Sequence, residues 1–282
     1  MERATLIIPC FNEARRLDTA AMCSLLDDDG IDLLFVDDGS SDATRQILEA
    51  LAQTRPQRIR VLALEQNSGK AEAVRRGLVS AIESRRAELV GYFDADLATP
   101  PSEIRRLVGI LRGGNAHVLF GARVALLGHM IERSTSRHYL GRVFATLASM
   151  ALRMPTYDTQ CGAKLFRVTP ALAEAVQERF MSRWAFDVEL LGRLLTGSAS
   201  SQPISVASVW EEPLRAWRDV KGSKLAPRQM ARALLDLARI DRYLARRRAG
   251  MVRHDLPTAG TSGTPARDEQ AGPDLDAVRA PR

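Results

Sequence analysis

The sequence has few cysteines, no long hydrophobic run and no signal-peptide pattern at its start. Its three cysteines, Cys10, Cys23 and Cys161, lack the paired spacing of a zinc site. This odd, small number disfavours a disulfide framework and favours a reducing cytoplasm. The longest apolar stretch, around residues 143–152, is far shorter than the roughly 20 residues that a membrane span requires. The sequence therefore predicts a cytoplasmic protein without a transmembrane span, at most peripheral at the cytoplasmic membrane face.

Two common phosphate-binding patterns are also absent. The first apolar run, residues 5–8, is not followed by a glycine-rich dinucleotide fingerprint, and residues 69–70, Gly-Lys, lack the upstream glycine of a P-loop because Leu64 stands there. Classical NAD and ATP sites are therefore disfavoured. An aspartyl phosphotransferase carries its Asp-x-Asp behind the first strand and follows it with Thr or Val, whereas here the pair comes later and residues 97–98 are Leu-Ala.

Polar clusters follow four short apolar runs that read as buried strands. The runs are residues 5–8, 33–36, 60–64 and 89–93, and the clusters behind them are residues 9–13, Asp37-Asp38, residues 67–70 and Asp94-Ala95-Asp96. In an open α/β sheet the strands' carboxyl ends border one crevice, so these clusters should converge. Carboxylate pairs there predict Mg²⁺ or Mn²⁺ held together with substrate phosphates. For any one cluster alone, a simple turn-forming role remains an alternative.

Helix starts are less clear in this sequence. Ser40 or Ser41 is expected to cap a helix that begins near Asp42, and Ser102 to cap the helix that carries residues 104–111. Asp187 and Glu189 alternate with apolar residues, which fits either a strand or a helix start.

The C-terminal part changes in composition after the predicted domain at residues 1–226. Residues 227–250 form a basic amphipathic helix with an apolar stripe and many arginines; the stripe is Met230, Leu234, Leu237, Ile240 and Leu244. Such a helix can lie on anionic lipid or pack its stripe on the domain, and the sequence leaves both open. Nucleic-acid binding is disfavoured because no aromatic residues are interleaved. Residues 251–282 have few large apolar residues and are predicted to be disordered.

The motifs in order resemble family 2 glycosyltransferases with the GT-A fold. The resemblance lies in residues 7–13, 36–44, 67–70 and 94–96. Residues 121–123, Arg133, Arg137, and residues 158–166, 184–191 and 222–225 are similar to the dolichyl-phosphate β-glucosyltransferase branch, which is related to dolichyl-phosphate mannose synthases. Ala163 departs from the aromatic residue expected there. The resemblance covers roughly residues 3–226 and implies an α/β fold with a mostly parallel mixed sheet flanked by helices.

The resemblance also implies how the site is divided. Residues 1–97 are expected to form the nucleotide-sugar half and residues 98–226 the acceptor half. The expected donor-binding residues are Pro9, Asn12, Glu13, Asp37, Asp38, Lys70 and Asp94. Asp94 and Asp96 are expected to hold the metal. For Lys70, a solvated turn lysine is an equally good interpretation.

On the acceptor side the resemblance implies a polyprenyl phosphate. Arg123, Arg133 and Arg137 are expected to clamp its phosphate, because guanidinium groups bind phosphate oxygens in a bidentate way. Asp158 and Gln160 are expected to orient the sugar or acceptor. The expected catalytic residues are Asp94, Asp96, Arg123 and Asp187.

The implied reaction is inverting, metal-dependent transfer of a hexose, most simply glucose from UDP-glucose, to a polyprenyl or dolichyl phosphate. GDP-mannose as the donor and a soluble, non-lipid acceptor remain alternatives. A phosphotransferase and a catalytically silent nucleotide-sugar binder are the alternatives of another class. The expected partners are the nucleotide sugar, the lipid phosphate, an anionic membrane surface and a separate membrane protein.

Overall fold

A computed structural model of the chain describes residues 1–132, 135–218 and 227–254, with side chains of residues 135–140, 227–231 and 251–254 outside the description. The strands are β1 (Ala4–Cys10), β2 (Ile31–Asp37), β3 (Ile59–Ala63), β4 (Leu89–Tyr92), β5 (Val118–Ala122), β6 (Met130–Glu132), β7 (Lys164–Arg167), β8 (Val209–Pro213) and β9 (Ala216–Arg218). The helices are α1 (Thr19–Cys23), α2 (Thr44–Thr54), α3 (Lys70–Glu83), α4 (Pro101–Gly113), α5 (Thr135–Leu152), α6 (Pro170–Ala175), α7 (Phe186–Thr196) and α8 (Pro227–His254).

Seven strands form one sheet in the order β3-β2-β1-β4-β7-β5-β8, and β6 pairs with β9 separately. Within the larger sheet only β7 runs antiparallel to its neighbours. The mostly parallel mixed sheet predicted from the sequence is therefore confirmed. β1 lies between β2 and β4, so the strand order reverses beside β1, and such a reversal opens a crevice at the strands' carboxyl ends.

Both faces of the central strands are buried, which explains their continuous apolar runs. Successive residues of β1 alternate between two hydrophobic cores: Leu6 and Ile8 contact one, and Ile7 contacts the other. Helices α1, α2 and α4 cover the first core. Helices α3, α5, α6, α7 and α8 contribute to the second core.

The C-terminal helix α8 packs on the domain. Leu237, Ile240 and Leu244 of the predicted apolar stripe are buried in the core that α5 and α7 share. A Cβ at Gly192 of α7 would lie 2.6 Å from Leu244 Cδ2, so the two helices approach closely. Of the two alternatives for this stripe, packing on the domain is the one observed. The helix extends to His254, and the tail predicted to be disordered lies, from residue 255 on, outside the described residues.

The predicted serine caps are wrong. Helix α2 begins at Thr44, and Ser40 is taken up by the neighbouring turn, where its Oγ accepts a hydrogen bond from the Asn12 backbone N–H (3.0 Å). Ser102 lies inside α4, because Pro101 already supplies the first helical residue with its fixed φ. Asp187 and Glu189 lie in the first turn of α7, which resolves their ambiguity in favour of a helix.

None of the helices in the described ranges combines the length and the apolar character needed to cross a membrane.

Candidate functional site

An open cleft lies at the carboxyl ends of β1, β2 and β4, where the strand order reverses. Its volume is about 390 Å³. The lining residues come from all four predicted clusters and include Pro9, Glu13, Asp38, Asn67, Gly69, Lys70, Asp94 and Asp96. The predicted convergence of the strand-end clusters is therefore observed.

Asp38 connects the end of β2 to the turn before α3. One carboxylate oxygen accepts the Ser68 N–H at 2.8 Å and the other accepts the Gly69 N–H at 2.7 Å. Burial raises the pKa of Asp38, although the two hydrogen bonds act in the opposite direction. Gly69 has φ +91°, a conformation that side-chain-bearing residues rarely adopt. The carboxylate thereby fixes the turn that delivers Lys70 to the cleft.

Asn12 and Asp37 hold the neighbouring turns together. Asn12 adopts φ +53° and its side-chain oxygen accepts the Ser41 N–H at 2.9 Å. Asp37 is buried and accepts the Ser40 N–H at 3.2 Å. Both predicted donor-binding residues lie beside the cleft, and neither is among the residues that line it.

Glu13 forms an ion pair with Arg16, a cleft residue that was not predicted from the sequence. The Arg16 guanidinium donates to both carboxylate oxygens of Glu13, at 2.5 Å to Oε1. This hydrogen-bonded pairing raises the pKa of Arg16, and the more distant Asp96 and Asp94 add to the effect. The i, i+3 spacing of Glu13 and Arg16 in the sequence could have predicted this ion pair. Arg16, paired with Glu13, therefore places a guanidinium among the residues that line the cleft.

Asp94, Asp96 and Lys70 form an acidic cluster with one lysine. Lys70 Nζ makes an ion pair with Asp94 Oδ1, and Asp96 Oδ1 accepts the Ala98 N–H at 3.0 Å. Burial, followed by the charge of Asp94, raises the pKa of Asp96. Desolvation opposes the charge on Lys70, but Asp94 and then Asp187 outweigh it, so its pKa is raised. Lys70 therefore pairs with Asp94, although 41% of its side chain is exposed to solvent.

This donor set fits a hard divalent cation that shares its coordination with a ligand. Among the described residues no group of three or more His, Cys, Asp or Glu could hold a metal unaided. Mg²⁺ and Mn²⁺ are often bound by one or two carboxylates together with substrate phosphates. Burial, and after it the charge of Asp94, raises the pKa of Asp96, and a bound cation would favour the ionised carboxylate against both effects.

Gly162, in the segment before β7, lies directly against the acidic cluster. A Cβ at this position would lie 2.7 Å from Asp94 Cγ, so a side chain there would have to displace the carboxylate. The segment before β7 therefore passes directly against the Asp94 carboxylate.

Asp187 lies in a buried cluster at the start of α7. The Tyr92 hydroxyl donates to its Oδ1, and Lys164 Nζ lies 2.7 Å from the same oxygen. Lys164 also donates to the Cys161 carbonyl oxygen at 2.6 Å. Burial and the charge of Asp187 raise the pKa of Tyr92 well above its ordinary value. Neither Tyr92 nor Lys164 was predicted from the sequence to contact this carboxylate.

Arg123 and Asp158, predicted to have separate roles, are partners. The Arg123 guanidinium donates to both Asp158 oxygens, from Nε at 2.6 Å and from Nη2 at 2.8 Å. The Gln160 N–H also donates to Asp158 Oδ1, at 3.1 Å. Arg133 lies outside the described residues, and Arg137 lies in α5 with its side chain outside the description.

A second arginine that the sequence reasoning missed, Arg183, lies across Gly69. A Cβ at Gly69 would lie 2.6 Å from Arg183 Nε, and Arg183 Nη2 lies 3.4 Å from Asn67 Oδ1. Its side chain is exposed, next to the cleft-lining residues Asn67 and Gly69. Arg183 is more than 110 residues from Gly69 in sequence, so local patterns carried no signal for this contact.

The sequence matches a family model and is similar to several known proteins. The family model described as glycosyl transferase family 2 matches residues 5–171. Dolichyl-phosphate β-glucosyltransferase ALG5C of Trichomonas vaginalis is 31% identical over 261 residues, covering 88% of this chain and 72% of that protein. The dolichyl-phosphate β-glucosyltransferase of Mus musculus is 31% identical over 242 residues, covering 80% of this chain and 70% of that protein.

Two solved structures share the fold at low sequence identity. Glucosyl-3-phosphoglycerate synthase of Mycobacterium tuberculosis, in complex with Mn²⁺, UDP and glucosyl-3-phosphoglycerate, has a TM-score of 0.54 and 19% identity, covering 92% of this chain and 82% of that one. Mannosyl-3-phosphoglycerate synthase of Rubrobacter xylanophilus has a TM-score of 0.57 and 15% identity, covering 92% of this chain and 78% of that one.

Proposed function

The chain belongs to glycosyl transferase family 2 and is a glycosyltransferase, and from this starting point we propose that it transfers glucose from UDP-glucose to a polyprenyl phosphate with inversion. The names of its relatives, dolichyl-phosphate β-glucosyltransferases, support the sugar and the acceptor class. The observation that carries the proposal is the cluster of Asp94, Asp96 and Lys70 in a cleft that Asp38 and Gly69 complete.

On the donor side, these residues suit a nucleoside diphosphate bound across the strand ends. Asp94 and Asp96 would hold Mg²⁺ or Mn²⁺ together with the phosphates of the donor. When bound, the cation neutralises the negative charge that develops on the departing nucleoside diphosphate. Lys70 lies beside Asp94 and would add a second positive charge at the same end of the cleft. Pro9, Asn12, Glu13 and the Asp37-Asp38 turn would shape the wall for the base and ribose.

On the acceptor side, a polyprenyl phosphate needs little chemical activation. It is close to a dianion at neutral pH, so its oxygen can attack once it is positioned against the anomeric carbon. Arg123, together with Arg133 and Arg137, would position the phosphate, and Asp158 holds the Arg123 guanidinium in a fixed plane. Attack opposite the leaving group converts an α-linked donor into a β-linked product. Asp187, kept in place by Lys164, would orient the sugar, or serve as the base if the acceptor were an alcohol.

A lipid acceptor also requires a surface that meets the membrane, and α5 offers one. Val143, Leu147 and Met150 recur at helical spacing on one face of α5, and all three are exposed. Arg153, just past the end of α5, is exposed beside them. An apolar helix face with an arginine beside it suits an anionic bilayer surface. Because Leu237, Ile240 and Leu244 of the α8 stripe are buried, we assign peripheral membrane contact to α5 and to the exposed arginines of α8.

The donor and acceptor can be tested together with the purified full chain. Radiolabelled UDP-glucose and GDP-mannose are each offered with a short-chain polyprenyl phosphate or with 3-phosphoglycerate, in Mn²⁺ or Mg²⁺. The proposal expects label from UDP-glucose in the organic extract. Label from GDP-mannose would change the sugar, and label only in a water-soluble product would replace the lipid acceptor. No transfer from either donor to either acceptor would overturn the proposed donor and acceptor.

The membrane surface has its own test. Leu147→Gln combined with Met150→Gln should reduce co-sedimentation with vesicles that contain anionic lipid, while activity on a short detergent-solubilised acceptor stays unchanged. Val206→Gln, at an exposed valine outside both helices, is the matched control. Vesicle binding that the α5 double variant leaves intact would exclude this face, and absence of binding by the unaltered chain would favour a separate membrane protein partner.

A further inference from the structure

Hydrogen bonds hold the loop between α6 and α7 in place on both sides of Arg183. On one side the Met181 N–H donates to Glu189 Oε2 at 2.8 Å. At the next residue the Ser182 hydroxyl donates to Asp236 of α8 at 2.8 Å. The same hydroxyl oxygen accepts the Ala185 N–H at 2.8 Å, just before α7 begins. The backbone around Arg183 is therefore held by two helices, although the arginine side chain itself is exposed.

This loop places the Arg183 guanidinium next to Gly69, in the turn before α3. Arg183 Nε and Nη2 lie over Gly69, whose backbone N–H is bound by Asp38. The positive charge of Arg183 acts to lower the pKa of Asp38 and so favours the ionised carboxylate. Within the described ranges Arg183 makes no ion pair, whereas Lys70, the residue after Gly69, is paired with Asp94. An exposed guanidinium without an ion-pair partner there, next to the cleft-lining residue Gly69, suits a ligand with its own negative charge.

We propose that Arg183 binds a phosphate group of the donor nucleotide, and that α8 positions it through the hydrogen bond from Ser182 to Asp236. This inference rests on the proposed function, because it takes the cleft ligand to be a nucleoside diphosphate. Arg183 then belongs to the acceptor half of the chain but acts on the donor. Binding of the donor joins the Gly69 turn to the loop before α7.

The first experiment compares UDP with uridine by calorimetry in Mn²⁺. Arg183→Ala removes a charge-assisted contact and should weaken UDP binding by roughly tenfold to a hundredfold, while uridine binding stays unchanged. Arg183→Lys should recover part of the loss. The matched control is Arg179→Ala, which removes another exposed arginine four residues earlier, 3.6 Å from Glu72, and should leave UDP affinity unchanged.

A double-mutant cycle tests whether the hydrogen bond from Ser182 to Asp236 positions Arg183. Asp236→Ala should weaken UDP binding by a few-fold in the unaltered chain and should add nothing when Arg183 is already alanine. Asp241→Ala, at an exposed acid on the same helix, is the control. An equal effect of Asp236→Ala in both backgrounds would overturn the positioning role of α8.

The outcomes separate this inference from the proposed function. UDP binding by Arg183→Ala that equals binding by the unaltered chain would overturn the phosphate contact and leave the proposed reaction intact. A parallel loss of uridine binding would move Arg183 to the nucleoside and also overturn it. Failure of the unaltered chain to bind UDP at all would instead count against UDP-glucose as the donor.

Discussion

Gly162 lies against the Asp94 carboxylate so closely that a Cβ would come within 2.7 Å of Asp94 Cγ. One residue belongs to the segment before β7 and the other follows β4. The space available to the Asp94 carboxylate is thus limited by the segment that leads into β7.

Gly162→Ala tests this close approach. The added methyl should displace the Asp94 carboxylate, and because displacement of a catalytic group by about 1 Å can cost roughly a hundredfold, we expect kcat to fall by about that factor. The control is Gly109→Ala, at a helical glycine with no atom within 4 Å of the added Cβ. It should keep full activity and stabilise the fold by about 0.5–1 kcal/mol. Unchanged kcat in Gly162→Ala would show that the position of Asp94 is not critical.

Asp96→Asn tests the metal assignment. The amide keeps the size of the side chain but loses the charge that attracts the cation, so transition-state stabilisation should fall by several kcal/mol, on the order of a hundredfold or more in kcat. Steady-state kinetics across Mn²⁺ concentrations measures the effect, and circular dichroism checks that the fold is retained. Full activity of the unaltered chain in EDTA would contradict the assignment.

Arg123→Lys tests the acceptor clamp. Lysine keeps the charge beside Asp158 but cannot donate in the bidentate geometry that the guanidinium shows, so the KM for the acceptor should rise by roughly tenfold. The Kd for UDP should stay unchanged. Arg133→Ala and Arg137→Ala should act in the same direction. A loss of UDP affinity with normal acceptor kinetics would mean that the donor and acceptor roles are reversed.

The ion pair of Glu72 with Arg75 should stabilise the fold in a pH-dependent way. Its carboxylate accepts two hydrogen bonds from Arg75, each at 2.8 Å, and this pairing lowers the pKa of Glu72 in the folded state. The stabilisation is complete above the ordinary glutamate pKa of about 4.3 and is lost as the pH falls through the lowered value. At pH 7 Glu72→Gln should reduce the free energy of unfolding by about 1.5–3 kcal/mol.

Urea unfolding of both proteins from pH 7 down to pH 3 measures this contribution. The difference between them should shrink as the pH falls. A difference that stays constant with pH would show that the loss comes from packing rather than from the charge.

Leu244→Ala tests whether α8 is part of the fold. Leu244 is fully buried against Gly192 of α7, so its truncation should cost about 2–5 kcal/mol in the free energy of unfolding. Leu235→Ala, at an exposed leucine of the same helix, should stay within about 0.5 kcal/mol. Equal, small effects in urea unfolding would mean that α8 is only loosely attached.

The strand-end clusters were predictable because both faces of β1, β2 and β4 are buried. Continuous apolar runs such as Leu33–Val36 mark such strands, and polar residues mark the point where each strand leaves the core. The general rule that parallel strands end at one crevice then brings Asp38 and Asp94 together. No knowledge of the strand order was needed for this step.

The pairs that cross the site were not predictable in the same way. Arg123 meets Asp158, and Lys164 meets Asp187, because β7 runs antiparallel beside β4 and β5. Hydrophobic periodicity reports the face of each element, but not which strand lies next to which. The serine caps failed for a related reason, since Ser40 is bonded to Asn12 from another turn.

The reversed strand β7 also bears on how the chain is made on the ribosome. Strand β4 pairs with β1 on one side and with β7 on the other, and β7 follows it by about 70 residues. At a synthesis rate of about 5–20 residues per second, one edge of β4 therefore stays open for roughly 4–14 seconds. An open strand edge is a template for pairing with other chains. The late pairing of β7 with β4, which also brings Gly162 to Asp94, thus creates an interval with an open β4 edge. During this interval the nascent protein is most exposed to misassembly and to capture by chaperones.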